Sequence, residues 1–166
     1  MALIEFKDLP DTTTPVTAEN LNNNFEELDN KIDNLIEEDS WTPTISAWNE
    51  TAPTLTYTSR RGYYKKIGNI VFFDFYIRAK ITALNGTNNY AQITGLPYAS
   101  INHGFGSQAG SIGALYSAVY NPHDTKFIIS GDNIRIQHSY GAEAAKWVVT
   151  STSYMEIGGS GFYFVA

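Results

Sequence analysis

The sequence of 166 residues contains no cysteine. Disulfide bonds and thiolate metal sites are therefore excluded, and the folded state must be stabilised by packing or by association between chains. No apolar run approaches the roughly 18–20 residues that are needed to span a bilayer, and no basic start followed by an apolar stretch indicates a secretory signal. We expect a protein that is made in the cytoplasm, is soluble there, does not insert into a membrane and would leave a cell by a route such as lysis.

Basic residues are few and scattered. The net charge of −6 divides unevenly, because residues 1–40 carry eleven acidic and two basic side chains whereas residues 41–166 carry six acidic and nine basic ones. The two parts therefore have net charges of −9 and +3. Apart from Arg60-Arg61 and Lys65-Lys66 the bases are isolated, which is too sparse to follow a phosphate backbone. The charge pattern predicts that the protein does not bind nucleic acid.

Apolar residues recur at alternating steps of four and three over residues 21–35, and almost everything between them is Asn, Asp or Glu. This heptad stripe forms one narrow apolar seam, which is typical of a coiled coil. Thr17 is a suitable N-cap, so we predict a coiled-coil helix over residues 17–39. A helix this short is marginal alone in water, so we expect its seam to pack on copies of itself. The predicted oligomerisation residues are Leu21, Phe25, Leu28, Ile32 and Leu35.

The residues alone leave the number of copies open. Ile32 at an a position with Leu at d favours dimers, whereas the bulky Phe25 at a favours a wider core. Before the helix, residues 1–16 contain two prolines and three consecutive threonines, which predict an extended arm. The arm has four apolar side chains that either fold back on the helix or insert into a partner: Leu3, Ile4, Phe6 and Leu9.

From residue 41 onward, period-two alternation and aromatic or β-branched residues indicate β-structure. In the strongest predicted strand, residues 69–81, Val71, Phe73, Phe75 and Ile77 face one side. Regular turn signals without a helix predict a mainly β fold, with an antiparallel β-sandwich or jelly-roll-like head over residues 41–166. The other predicted strands are 63–67, 90–94, 111–120, 126–130, 133–138, 146–150, 153–157 and 161–165.

Three stretches carry a resemblance to a protein family. They are the opening LPDTTTPVTAENLNNNFEELDNKI, the pair of strands GYYKKIGNIVFF that begins at Gly62, and the ITGLPY segment that ends at Tyr98. Together they resemble the receptor-binding proteins of phages that infect Gram-positive bacteria, which form the tail fibre or baseplate tip. The chain differs from some members because its helix leads into the head through Ser40-Trp41, without a separate β-prism neck.

The resemblance implies a role and a set of partners. The arm over residues 1–16 would attach to the phage baseplate or tail, and the helix would form a homotrimeric coiled coil. The trimeric head would bind a host cell-wall polysaccharide or teichoic acid. We therefore expect a virion protein at the phage tail tip, made in the host cytoplasm, that acts in host adsorption.

No catalytic or metal-binding set stands out in the sequence. There is no G-x-S-x-G elbow, the six carboxylates of the head select no pair, and the adjacent His123-Asp124 is more typical of a solvated turn. We therefore expect no enzyme activity, no cofactor and no metal. An alternative is a polysaccharide depolymerase or esterase at the tip, and another is a purely structural fibre subunit.

Saccharide binding requires aromatic faces for the sugar rings and polar side chains for the hydroxyl groups. Two glycine-containing loops, 101–108 and 138–143, together with the turn at residues 123–124, are predicted to form the binding surface. Trp48, Tyr116 and Arg135 could also contribute, and Trp147 could instead be a core residue. The predicted saccharide-binding residues are His103, Phe105, His123, Asp124, His138, Tyr140, Glu143 and Trp147.

Overall fold

The computed structural model describes residues 17–48, 50–87, 89–101, 108–116, 119, 125–138, 145–149 and 154–166. The chain divides into two compact units, Met1–Glu37 and Glu38–Ala166, close to the predicted boundary between helix and head. The elements in chain order are α1 (Ala18–Asp33), β1 (Ile36–Trp41), β2 (Thr44–Ala47), β3 (Thr54–Ile67), β4 (Ile70–Ala83), β5 (Ala91–Thr94), β6 (Gln108–Tyr116), β7 (Thr125–Ser130), β8 (Asn133–His138) and β9 (Met155–Phe164).

Helix α1 begins at the predicted cap. The Thr17 side chain accepts a hydrogen bond from the Asn20 amide at 3.1 Å, as an N-cap should. The helix ends at Asp33 with Asn34 as its C-cap, so the predicted span of 17–39 was too long. Leu35 consequently lies beyond the helix, and only four of the five predicted seam residues belong to it. No residue of α1 is buried within the single chain.

Strand β1 occupies the place where the end of the helix was predicted. Five of its six residues are exposed, and Trp41 alone is buried. The Trp41 ring lies directly over Gly62 of β3, where an added Cβ would overlap the indole. The indole Nε1 donates a hydrogen bond to the carbonyl oxygen of Asp74 at 3.2 Å. A single aromatic anchor therefore fixes a strand whose other residues look like an exposed helix end.

The strands form one continuous hydrogen-bonded order, β1-β3-β4-β9-β6-β7-β8-β5-β2. The described strand pairings are antiparallel, which confirms the prediction of a mainly β, antiparallel fold. Strand β4 confirms the predicted alternation, since Val71, Phe73, Phe75 and Ile77 are all buried. A hairpin turn at Gly68-Asn69 joins β3 to β4.

The sheet folds over on itself. Phe75 of β4 packs against Phe127 of β7 with ring centroids 5.5 Å apart, although β9 and β6 separate these strands in the sheet. In a flat sheet the two strands would lie about 14 Å apart, at about 4.8 Å per strand. At the two ends of the order, the Ile45 amide of β2 donates to the Tyr57 hydroxyl of β3 at 2.7 Å. These contacts are compatible with a sandwich-like head whose inner faces enclose the core.

Strand β9 is continuous where two separate strands, 153–157 and 161–165, were predicted. The glycines serve close packing instead, because a Cβ on Gly158 would come within 3.0 Å of the Phe75 carbonyl oxygen. The predicted strand at residues 146–150 was also wrong in its described part, which forms isolated bridges at Lys146 and Trp147. In the described part of the chain, no helix is long and apolar enough to cross a membrane.

Candidate functional site

Most of the predicted saccharide-binding residues cannot be placed. His103, Phe105, His123, Asp124, Tyr140 and Glu143 lie outside the described residues. His138 ends β8, where it pairs with Thr125 and is half-buried. Both predicted loops and the predicted turn therefore stay predictions.

Trp147 is a correction to the predicted set. It is 1% exposed, and its Nε1 donates to the Ser46 carbonyl oxygen at 2.6 Å. A sugar needs an accessible ring face, and this indole offers none because it belongs to the core. The alternative interpretation of Trp147 as a core residue is therefore the correct one.

The outer face of β3, β4 and β9 carries exposed aromatic residues that sequence reasoning did not assign to a site. Tyr63, Phe72 and Phe162 are 43%, 44% and 48% exposed, respectively. They border a groove of about 440 Å³, which we call the aromatic groove. Its lining residues are Tyr63, Lys65, Phe72, Phe73, Asp74, Ser160, Gly161 and Phe162.

The strand register explains why these side chains meet. Tyr63 of β3 lies opposite Asp74 of β4, which lies opposite Ser160 of β9. Two residues along each strand, the next row places Lys65 opposite Phe72 and Phe72 opposite Phe162. Because side chains alternate between the faces of a sheet, residues two apart share a face, so both rows point outward.

The two rows differ in chemistry. The Phe72 and Phe162 rings lie 6.1 Å apart, and Phe162 meets Phe164 edge to face at 6.2 Å, which makes an apolar wall. The row beside it offers a phenol at Tyr63, a carboxylate at Asp74 and a hydroxyl at Ser160. A ligand in the groove would therefore meet apolar surface on one side and hydrogen-bonding groups on the other.

The polar rim of the groove is held by an ion pair. Lys65 Nζ lies 3.1 Å from Glu38 Oε2 of β1. Hydrogen bonds from Lys65 and Tyr63 hold the pKa of the Glu38 carboxyl below its usual range, because both donors favour the ionised form. The pKa of the Tyr63 phenol is raised, mainly by desolvation and to a smaller extent by its hydrogen bond to Glu38. The rim is therefore ordered by a charged acceptor that stays ionised at neutral pH.

A second aromatic group lies further along the same outer face. Arg78 Nε lies 3.6 Å from Glu156 Oε1, and the Arg78 guanidinium lies 3.6 Å from the Tyr154 ring centroid. Tyr116, which is 53% exposed, packs near Tyr154 at 6.2 Å. Arg78 therefore pairs with its cross-strand neighbour Glu156 of β9.

One signal in the sequence could have identified the aromatic groove. The β4 segment Val-Phe-Phe-Asp-Phe-Tyr-Ile has aromatic residues on both faces of the strand, whereas a sheet with one buried face needs them on one face only. The second set, Phe72 and Tyr76, marks the outer surface. The sequence-based prediction favoured the glycine-rich loops because binding residues more often lie on loops than on the outer face of a sheet.

Within the described residues, no group of three or more His, Asp or Glu side chains could hold a metal ion. The aromatic groove combines rings with single polar groups, an arrangement suited to binding sugars. Comparison with known proteins gives no further guidance, since the chain matches no protein-family model, no curated protein and no solved structure.

Proposed function

We propose that this chain is a receptor-binding protein of a phage tail, whose head adheres to a saccharide on the host cell surface. In this proposal residues 1–16 attach to the baseplate or tail and three chains associate through the heptad seam. The observation that carries the adhesive role is the aromatic groove on the outer face of the head.

The groove matches the two surfaces of a sugar. A pyranose presents C–H groups on its faces, which pack on aromatic rings, and hydroxyl groups on its edge, which need donors and acceptors. Phe72 and Phe162 can supply the first, and Asp74, Ser160 and Lys65 the second. Three exposed rings on one sheet face also need an explanation, because soluble proteins keep contiguous apolar patches small unless they bind something.

The exposed seam supports association between chains. Leu21, Phe25, Leu28 and Ile32 are 39–61% exposed on a helix that buries nothing within the single chain. Several weak sugar sites joined in one assembly would reach high avidity without any new contact. Oligomerisation and adhesion are therefore two parts of one proposal.

A hydrolase is less well supported by the groove. Glu38 and Asp74 both flank Tyr63, so two carboxylates are present, as glycosidases require. A general acid in such an enzyme needs a raised pKa, whereas the pKa of Glu38 is lowered by Lys65 and Tyr63. Glu38 is therefore poorly suited to act as the general acid of a glycosidase.

The proposal is tested on an array of bacterial cell-wall polysaccharides with the full-length protein and the variants Phe72→Ala, Phe162→Ala and Asp74→Asn. We expect the wild type to bind at least one glycan and each variant to lose about tenfold in affinity, as the loss of one ring or one charged contact implies. Tyr116→Ala, which removes an exposed ring outside the groove, is the matched control and should bind normally.

Two results would contradict the proposal. If the wild type binds no glycan on the array, the chain is better explained as a structural fibre subunit. If it binds but the three groove variants bind as well as the control, the saccharide site lies elsewhere on the head.

A further inference from the structure

A second group of aromatic and basic side chains lies at β2, β5 and β8, where Trp48, Tyr90 and Arg135 are half-buried and Lys146 is exposed. The Trp48 and Tyr90 rings lie 6.0 Å apart. The Arg135 guanidinium lies 4.2 Å from the Trp48 ring centroid, and Lys146 Nζ lies 5.4 Å from the Tyr90 centroid. We call these four residues the cationic cluster.

The backbone brings the four residues to one place. Register pairs Ser46 of β2 with Gln92 of β5, and Gln92 with Arg135 of β8. Two residues before Gln92, the Tyr90 carbonyl oxygen accepts from the Trp48 amide at 3.0 Å, and Tyr90 forms a β-bridge with Lys146. The cluster therefore spans three neighbouring strands and the segment that follows the predicted loop 138–143.

Beneath the cluster lies a polar side chain whose hydrogen bonds are incomplete. Gln92 is only 9% exposed, and its Nε2 donates to Ser46 Oγ at 3.2 Å and to Asn133 Oδ1 at 3.3 Å. Among the described residues, neither Gln92 Oε1 nor Arg135 Nε has a hydrogen-bond partner. Buried polar groups are nearly always paired, so the Arg135 Nε–H donor calls for an acceptor from outside the described residues. Gln92 Oε1 is itself an acceptor and needs a donor, so it does not contribute to binding an anion.

The cations of the cluster also differ from the other bases discussed above. Lys65 pairs with Glu38 and Arg78 with Glu156, whereas no described carboxylate pairs with Arg135 or Lys146. Desolvation by burial lowers the pKa of Arg135. Two cations that lie on adjacent aromatic rings, with no carboxylate partner among the described residues, form a site that favours an anion.

We propose that the cationic cluster is a binding site for an oxyanion group, a carboxylate or a phosphate, held by Arg135 and Lys146. The planar guanidinium fork matches the geometry of either group, and Trp48 fixes its orientation by stacking. The anion site stands on the cluster alone. The source of the oxyanion rests on the function proposed above. If the oxyanion is part of the host saccharide, the preferred ligand is an acidic sugar or a sugar phosphate.

The test uses the full-length protein and its tryptophan indole N–H signals in nuclear magnetic resonance, with Trp48→Phe to assign the Trp48 signal. Sodium phosphate and sodium acetate are titrated separately, with sodium chloride holding the ionic strength constant. We expect a saturable shift of the Trp48 signal with at least one of the two oxyanions and none with chloride alone. The response to phosphate, acetate or both identifies which oxyanion the site takes.

Variants then locate the site. Arg135→Gln should weaken oxyanion binding about tenfold, as the loss of a charge-assisted contact implies, and Lys146→Gln should weaken it less. Lys80→Gln, an exposed lysine on β4 outside the cluster, makes the same charge change and should have no effect. Melting temperatures of all three show whether the head is still folded, and Lys146→Gln keeps the test valid if Arg135→Gln is unstable.

The absence of a saturable shift with either oxyanion would overturn the proposal, and so would equal weakening by Lys80→Gln. If another part of the chain or a second copy already neutralised the cluster, neither oxyanion would give a saturable shift. The result is independent of the aromatic groove. A failed anion titration leaves the glycan-array test untouched, and a failed array leaves the anion site intact.

Discussion

Helix α1 and the β head differ in the contacts that stabilise them. Helix α1 is capped at Thr17 and carries the ion pair of Glu27 with Lys31 at 3.4 Å, yet it buries no residue. The head buries its apolar residues in one cluster that draws on both halves of the folded sheet. Local signals therefore place the start of the helix, whereas the core of the head depends on contacts that are distant in sequence.

The largest expected effect is on the assembly of chains. If this effect is not observed, the contrast drawn between the helix and the head is wrong. We expect the double variant Phe25→Asp, Leu28→Asp to reduce the solution mass from about three chains to one, because a buried seam does not tolerate unpaired charge. Light scattering measures the mass, and the thermal unfolding of the head should barely change. Glu26→Gln, off the seam, is the control. A wild-type monomer would contradict the seam prediction, and a trimeric variant would show that the head sets the oligomer.

The next effect is on the head alone. Trp41→Ala should lower the free energy of unfolding by about 3–5 kcal/mol, the usual result of removing a buried aromatic ring. Gly62→Ala should cost about 1–3 kcal/mol, because its new methyl group overlaps the same indole. Urea unfolding followed by circular dichroism measures both, with the exposed neighbour Thr42→Ala as control. Equal stability of all three variants would show that β1 does not depend on its aromatic anchor.

A smaller effect separates the core of the head from its surface at high pH. Burial raises the pKa of Tyr163 to about 12, so the folded state holds the phenol proton more tightly than the unfolded state does. This stabilisation is complete below about pH 10 and is lost as the pH rises through the folded pKa, to a total of about 2–3 kcal/mol. Tyr163→Phe should therefore unfold at higher pH than the wild type, as followed by alkaline titration with circular dichroism. An unchanged alkaline midpoint would contradict the burial of this hydroxyl.

The smallest effect concerns the edge of the head at low pH. The pKa of Glu38 is lowered by Lys65 and Tyr63, so the contribution of this contact is present at neutral pH and is lost as the pH falls through the folded pKa. Glu38→Gln should abolish this part of the acid dependence while leaving the stability at neutral pH almost unchanged, since the pair is exposed. Thermal unfolding of the variant and the wild type between pH 3 and pH 7 tests this expectation. An identical pH profile for the variant would show that the contact has no energetic weight.

The sequence predicted the elements whose pattern is local. Thr17 marks the start of the helix by its side chain, and the period-two alternation of β4 defines both the strand and its buried face. The errors fall where the deciding contact is distant. The segment 36–41 resembles the end of a helix in sequence, but the contact of Trp41 with Gly62 holds it as a strand. Gly158 falls between two predicted strands, whereas in the structure it lies inside β9, with β4 and β6 on either side.

For the candidate site, too, local patterns were predictable from the sequence and distant contacts were not. That the head should present aromatic and polar groups together was predictable, but the groove depends on the register that sets Tyr63 beside Asp74 and Ser160. Single residues judged from sequence were less reliable. Trp147 was proposed for the surface and lies in the core, whereas Trp48 and Arg135, named only as possible contributors, stack on one another.

The central position of β9 has a consequence for how the head folds during synthesis. Strand β4 can pair at once with β3, its neighbour in the chain, but its other edge waits for a strand that the ribosome makes more than seventy residues later. Until then the edge of an aromatic, β-prone strand is open to pairing with other nascent chains. Slower elongation through the intervening segment would lengthen that exposure, so expression yield should depend on translation rate and on chaperones that shield open strand edges.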